Sequence, residues 1–439
     1  MRGPRLLLGV DASDSAARPG SAALLCRITI TAAVLEDLRR QLRESPGRVV
    51  ELPAGLRRTA GELEVFAIPA AATSARALAA VLRFAALPRS LEGISHHWWE
   101  GFDVPRGPRP RADVFLYEGR GCSAAVLCEG RVHPVQEILI AGPRMDRWVP
   151  TRTPPDLVGG IPEAGPFSRY IGALGGEGVH GRLRALRVAI IGAARLASLV
   201  AVGLARAGVR EITLIDPDLL EDHSLDAVEV PARGSCGRPK VDGVRRSLES
   251  VAPELTVHAL PIGAEHPRAA AACARADLIV SAPDQNQARL LAALYASAHL
   301  RPHLDLGTGV FGEGANFVAG ADLRLVLPGD GCLLCVGTLD LARRHERDWR
   351  RQRAGSLRSL NALAVAHAQF LVERFLVGDI AQSVWFQLVL DRHAELVARR
   401  MPRSREPQCA CCALAGLGDA AAGLAELPTD AARSGPSPS

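Results

Sequence analysis

The chain has 439 residues, 48% of them hydrophobic and 23% charged, with a formal net charge of +5. That length suits two or three domains with real cores, and so mild a charge excludes an argument for nucleic acid as partner. No apolar run reaches membrane-spanning length, so no membrane is expected, and the ten cysteines, with no export signal beside them, point to thiols and metal in a cytoplasmic protein.

Residues 1–22 read as a flexible start, because the apolar part of MRGPRLLLGV is too short for a signal peptide. RITITAAVLEDLRRQL, from Arg27 to Leu42, predicts a strand running into an amphipathic helix, and Val49 to Ala70 a short strand pair. AAVLCEGRV and EILIAG, within Ser123 to Gly142, predict the strands that close a small α+β domain over 23–147. This order resembles the opening of JAB/MPN-type peptidase domains. Their metal site needs a His-x-His pair followed by Ser and Asp, whereas this chain has His96-His97, then Trp98-Trp99, with Asp113 too far along. The domain is therefore expected to be catalytically silent. Pro/Gly-rich residues 148–165 read as the linker that follows.

The stretch Arg187 to Lys240 organises the rest. Val188 to Ile191 is a continuous apolar run, as for a parallel strand buried on both faces, and Gly192 breaks it. Leu196, Leu199, Val200, Gly203 and Leu204 recur at helical spacing, Gly208 supplies a stop, and a second run, Glu211 to Ile215, ends in Asp216. A strand–turn–helix–strand unit of this kind aims free backbone N–H groups and a helix dipole at an anion. Asp216 follows Gly192 by 24 residues, close to the usual spacing of a carboxylate that takes a ribose hydroxyl. Where the fingerprint has G-x-G-x-x-G, however, the chain has Gly192, Ala194 and Ala197. Taken alone, the loop fits a nucleotide-free βαβ unit as well.

Further blocks follow in order. GRPK puts Lys240 at the start of a helix over 241–251, ADLIVSAPD is a strand ending in Asp284, and PHLDLGTG is a strand with a glycine turn. Cys332 and Cys335 form one CxxC pair, Cys409 and Cys412 another. Each pair can grip one edge of a tetrahedral Zn²⁺, and two together close its shell. Cys411 is either an incidental thiol or a ligand in a shifted pairing. The charged run Leu341 to Arg353 reads as a solvated helix or loop, or as a lid, and residues 416–439 read as a disordered tail.

Over about residues 165–415 these blocks resemble the ThiF/MoeB/HesA-type adenylating domain, the fold shared with ubiquitin-activating enzymes. The resemblance implies an α/β architecture for 166–415, a Rossmann-like doubly wound, mostly parallel sheet. It implies that Gly192 sits in the phosphate loop, that Asp216 holds the ATP ribose with Asp218 beside it, that Lys240 reaches the phosphates and that Asp284 holds Mg²⁺. PFSRYIGALG resembles the family's entry segment, making Arg169 an arginine finger often given to a partner subunit. GSLRSLNALAVAHA, from Gly355, resembles the return helix containing Asn361, and the knuckles resemble a structural zinc staple. The expected reaction is ATP-dependent adenylation of the C-terminal carboxylate of a small protein or peptide, by a homodimer or heterodimer.

Two departures bear on this. The family's Asn-Leu-Asn-Arg is Ser224-Leu225-Asp226-Ala227, which removes one phosphate-binding arginine, and no cysteine lies between Val336 and Gln408 to form a thioester. Ala194, Ala197 and Ala227 favour the alternative of a non-enzymatic binding or scaffold protein. An NAD-dependent dehydrogenase explains the βαβ unit but neither Lys240 nor the paired knuckles. Abundant alanine and a large excess of arginine over lysine fit a GC-rich bacterial genome.

Overall fold

The computed structural model describes residues 25–44, 49–59, 62–67, 80–87, 111–117, 122–128, 131–150, 167–222, 225, 228–229, 236–311, 317–336, 357–393, 395–403, 409–419 and 421. Ser224, Asp226, Ala227, the His96-His97 pair, the linker from 151 onward and the charged run 341–353 lie outside them. Two sheets carry the fold.

The first sheet is built from β1 (Leu25–Thr31), β2 (Val49–Arg58), β3 (Glu62–Ala67), β4 (Ala80–Leu87), β5 (Arg111–Tyr117), β6 (Cys122–Cys128), β7 (Arg131–Ala141) and β8 (Asp146–Trp148). Their order is β1-β3-β2-β4-β5-β6-β7-β8, and β1 also pairs with β7, so seven strands close on themselves. Closure leaves no open edge between β1 and β7. α1 (Ala32–Glu44) follows β1 directly and buries Leu35, Leu38 and Leu42 at helical spacing, which is why the predicted strand-into-helix is found.

The second sheet contains β9 (Arg187–Ile191), β10 (Glu211–Ile215), β11 (Thr256–Leu260), β12 (Leu278–Ser281), β13 (His303–Phe311), β14 (Val318–Val326), β15 (Val384–Asp391) and β16 (Leu396–Arg400). Its order is β11-β10-β9-β12-β13-β14-β15-β16, parallel through β13 and antiparallel beyond. Strand order reverses between neighbours β9 and β12, and open α/β sheets bind ligands at the carboxyl ends of strands flanking such a switch point. The helices are α2 (Ser168–Leu174), α3 (Glu177–Ala185), α4 (Arg195–Ala207), α5 (Lys240–Val251), α6 (Pro267–Arg275), α7 (Asn286–Ala298), α8 (Leu333–Val336) and α9 (Arg358–Val377). Against the expectation of no such run, α9 is long and apolar enough to cross a membrane by composition, yet half of that window is buried within the protein. Its Leu360, Ala364, Ala368, Leu371 and Phe375 are core residues.

The two sheets share a core. Leu139 and Met145, from the end of the closed sheet, belong to the cluster that packs β9, α4 and α9. Buried charge reinforces that seam. The Glu64 carboxylate is fully buried and receives Arg301 at 2.8 Å and Arg57 at 3.1 Å, while Asp277 receives Arg147 at 2.6 Å, Arg187 at 3.1 Å and Arg27 at 3.3 Å. Arg187 opens β9, Asp277 precedes β12 and Arg301 precedes β13. The closed sheet thus docks on the amino ends of the parallel strands, opposite the ligand-binding ends.

One expectation is corrected here. The start of the predicted disordered tail is packed: Gly416 N–H donates to Ser297 O, Gly418 N–H to Ala298 O, and Leu56 bridges to Gly418. Leu417 is buried, and a Cβ at Gly55 would collide with the Gly416 carbonyl, so this segment fits closely between α7 and β2. Small residues that look like low complexity are here the condition for close approach.

Burial alone would push the Glu64 carboxyl up, but Arg301, Arg27 and Arg57 outweigh it and hold it at about 2; burial opposes and Arg147, Arg187 and Arg27 hold Asp277 well below the usual carboxylate range. Both folded values are depressed, so the stability they confer is complete above pH ~4.5 and is lost as pH falls toward 2. Glu64→Gln leaves buried guanidinium charge uncompensated and is expected to cost about 3–5 kcal/mol. Urea unfolding at pH 7 tests this, and a loss below about 1 kcal/mol would contradict it.

Candidate functional site

Gly192 ends β9 with φ +102, a left-handed turn that a side chain would strain. A Cβ there would also sit 3.4 Å from the backbone of Ala282 and Pro283, so the two loops flanking the switch point touch at this glycine. Ala194 is the N-cap of α4 and offers no side-chain acceptor. The first amides of α4 are therefore left without a side-chain cap, as a phosphate site requires.

Asp216 stands at the end of β10, 6% exposed. Its carboxylate accepts Ala193 N–H at 2.7 Å and Asp218 N–H at 2.9 Å. Burial pushes its carboxyl up against these donors and the nearby Lys240 charge. Asp218 in turn binds the Lys240 ammonium at 2.7 Å and accepts the Lys240 backbone N–H at 2.9 Å. Gly192, Asp216, Asp218 and Lys240 are thus linked in one contact chain at the carboxyl ends of β9 and β10. Asp284 is exposed on the loop after β12, whose backbone meets Gly192 through Ala282 and Pro283.

Behind that loop is a polar cluster that the sequence did not single out. Arg289 Nε donates to Pro283 O at 3.2 Å and lies 3.6 Å from Asp305, which also receives Ser281 Oγ at 2.6 Å and Arg324 at 3.1 Å. Burial opposes ionisation of Asp305, but Arg289, His303 and Arg324 hold its carboxyl low. A fixed guanidinium on the Pro283 carbonyl holds Asp284 in place. Asn361 is buried and accepts Thr308 Oγ1 at 2.8 Å, tying α9 to β13.

Arg169 stands apart. It is exposed on α2 and lines a groove of ≈ 560 Å³ with Phe167, Tyr170, Gly203, Arg206 and Gln369. Arg206 is eleven residues beyond Arg195, roughly 16 Å of helix rise from the Gly192 loop. Arg169 is therefore not brought to the loop of its own chain.

Cys332, Cys335, Cys409 and Cys412 converge, their sulfurs all within 4.8 Å of one another. Separations of 3.5 Å (Cys332–Cys409), 3.6 Å (Cys335–Cys412) and 3.9 Å (Cys332–Cys335) match the ~3.8 Å edge of a tetrahedron of 2.3 Å metal–sulfur bonds. Hydrogen bonds from Cys409, Cys411 and Cys412 push the Cys332 thiol below its ordinary range. These four residues can hold a metal with no open position. Cys411 is the spare, with its sulfur 3.6 Å from Ala293 O and 3.4 Å from Ser297 Oγ on α7. Val326 pairs with His303, so Cys332 follows a strand that ends at the amino side of β13, away from the Gly192 end of the sheet.

Lys240, singled out above by its place after GRPK, carries a further signal that composition alone could have shown. Of 52 basic side chains, 51 are arginine, and Lys240 is the sole lysine.

A model of the ThiF family matches residues 167–411. The SAMP-activating enzyme E1 of Haloferax volcanii is 28% identical over 127 residues, 28% of this chain and 47% of that protein. The tRNA threonylcarbamoyladenosine dehydratase of Bacillus subtilis is 34% identical over 94 residues, 21% of this chain and 37% of that protein. The chain thus spans less than half the length of these curated relatives. Among solved structures, E. coli MccB with MccA-N7isoASN has a TM-score of 0.47 at 21% identity, covering 57% of this chain and 77% of that one. The matched family begins at residue 167 and lends no support to a JAB/MPN origin for residues 23–147.

The cysteine geometry makes a direct prediction. Metal analysis of freshly reduced protein is expected to find about one ion per chain, lost in Cys332→Ser or Cys412→Ser. Because Leu414 to Gly418 continue from this cluster to α7 and β2, either variant should also expose the C-terminal segment to limited proteolysis. Metal-free protein with the same proteolysis pattern would contradict this.

Proposed function

The chain belongs to the ThiF family, and from that premise we propose that it is an ATP-dependent adenylyltransferase activating the C-terminal carboxylate of a small protein or peptide. The observation that carries the reading is Lys240. In a chain that uses arginine 51 times, its one lysine begins α5 beside Asp218 and the phosphate loop. A compact ammonium on a flexible stem is not equivalent to a planar guanidinium, and it suits a phosphate whose geometry changes during transfer.

In this reading the ATP phosphates lie over Gly192 and the first amides of α4, and Asp216 takes a ribose hydroxyl. Lys240 leaves Asp218 for the phosphate oxygens. A substrate carboxylate oxygen bonds to the α-phosphorus while the bond to the α–β bridging oxygen breaks, giving an acyl-adenylate and pyrophosphate. Catalysis is then positioning and charge stabilisation rather than covalent help. Mg²⁺, when bound, gathers the spreading phosphate charge. The Asp284 carboxylate is a hard oxygen donor suited to that ion, at the loop that meets Gly192. Since Arg169 lies far from its own loop, an arginine finger would come from a second copy or a related subunit. The four cysteines would hold structural Zn²⁺, and the free thiols suit the cytoplasm of a bacterium. The closed sheet, docked at the opposite end, would serve packing or partner binding without peptidase activity.

A second reading, a non-enzymatic scaffold, is favoured by Ala194, Ala197 and Ala227. Two measurements separate the two. An amine-reactive reagent has one lysine to modify, and ATP is expected to protect it. Lys240→Ala should lower ATP affinity about tenfold or more, as each charge-assisted contact is worth roughly 1.5–3 kcal/mol, and Lys240→Arg should not restore it fully. Asp284→Ala should matter chiefly with Mg²⁺ present. If calorimetry finds no ATP binding at millimolar concentration, the scaffold reading takes its place.

A further inference from the structure

Arg195 breaks a local rule. It is the first residue of α4, where the exposed amides carry the positive end of the helix dipole and a cation is disfavoured. The positions that normally relieve a helix start are unhelpful: the N-cap is Ala194, and the first turn contains no acidic residue. Among the described residues no carboxylate or carbonyl pairs with the Arg195 guanidinium, although it is half-buried. The arginines at the seam between the two sheets, Arg27, Arg57, Arg147, Arg187 and Arg301, are by contrast all paired with carboxylates.

The charge around the loop explains what such a residue is for. Asp216, Asp218 and Asp284 place three carboxylates at this end of the sheet. Lys240 is already held by Asp218 at 2.7 Å, and the family's downstream arginine position is Ala227. Without Arg195, the mouth meets a polyphosphate with an excess of negative charge. Helical Cα–Cβ bonds tilt toward the helix N-terminus, so a first-turn guanidinium is within reach of an anion seated on the loop.

We infer that Arg195 is a phosphate-binding residue of this chain, supplying from the N-terminus of α4 the cationic contact absent at Ala227. The inference rests on the nucleotide reading of the preceding subsection and adds a ligand to it. An unpaired arginine at a positive helix end is unfavourable in the free protein and becomes favourable when the polyphosphate arrives. Local rules broken without internal compensation are expected at functional sites.

The opposite role, a side chain that occupies the phosphate position and excludes nucleotide, predicts changes of opposite sign, so one experiment decides. ATP and adenosine binding are measured by calorimetry, with thermal melts, for the full chain and for Arg195→Ala and Arg195→Lys. Arg195→Ala is expected to weaken ATP binding about tenfold, leave adenosine binding unchanged, and melt no lower than the parent without nucleotide. Arg195→Lys should recover part of the ATP affinity, since it restores charge without the planar fork. Equal or tighter ATP binding by Arg195→Ala, while the parent binds ATP, overturns the inference and leaves the nucleotide reading intact. Loss of ATP and adenosine binding together, with a lowered melt, assigns Arg195 a structural role and also overturns it. A parent chain that binds no ATP at all removes the nucleotide reading and this inference with it.

Discussion

Two fully buried carboxylates, Glu64 and Asp277, determine how the molecule is put together. Neither could remain ionised in the interior alone, and each is surrounded by arginines drawn from both sheets. Because Arg187, Asp277 and Arg301 stand at the amino ends of β9, β12 and β13, the network fixes the closed sheet to that end. The opposite end, where Gly192, Asp216 and the loop to Asp284 meet, is thereby left open. The four-cysteine cluster serves the same division, directing Leu414 to Gly418 back along α7 to the closed sheet.

At the open end the arrangement is economical. The Asp216 carboxylate binds an amide of the loop after β9 and an amide of the segment leading to Lys240, so loop and lysine are positioned by one buried group. Lys240 waits on Asp218, and Arg289 braces the Asp284 loop through the Pro283 carbonyl. Such sites favour anions through preformed dipoles and movable cations. They do not by themselves dictate what is transferred.

Strands β9 and β10 were legible because they are short apolar runs, ended by Gly192 and Asp216. The two CxxC pairs converge as their spacing implied, while Asp216 follows β10 and Lys240 begins α5. The closed sheet was less legible: pairing β1 with β7 joins residues more than a hundred positions apart, and no local pattern encodes that contact. Arginines that proved to be structural ties looked like surface charge, since sequence does not show which carboxylate a long side chain will meet. Residues 416–419 were misread because glycine, sparse in apolar area, is also what a tight fit against Leu56 demands. Arg169 was found by motif, but only the fold shows how far it lies from the loop of its own chain.

The central claim is that a carboxylate at a peptide end is joined to AMP on this site. Exchange of labelled pyrophosphate into ATP measures that step directly, using peptides matched in sequence but ending in a free carboxylate or an amide. The account predicts Mg²⁺-dependent exchange with the free-carboxylate peptides, none with the amides, and loss of the signal in Lys240→Ala. Exchange that ignores the C-terminal group, or binding of ATP with no exchange for any carboxylate peptide in a broad set, would contradict it.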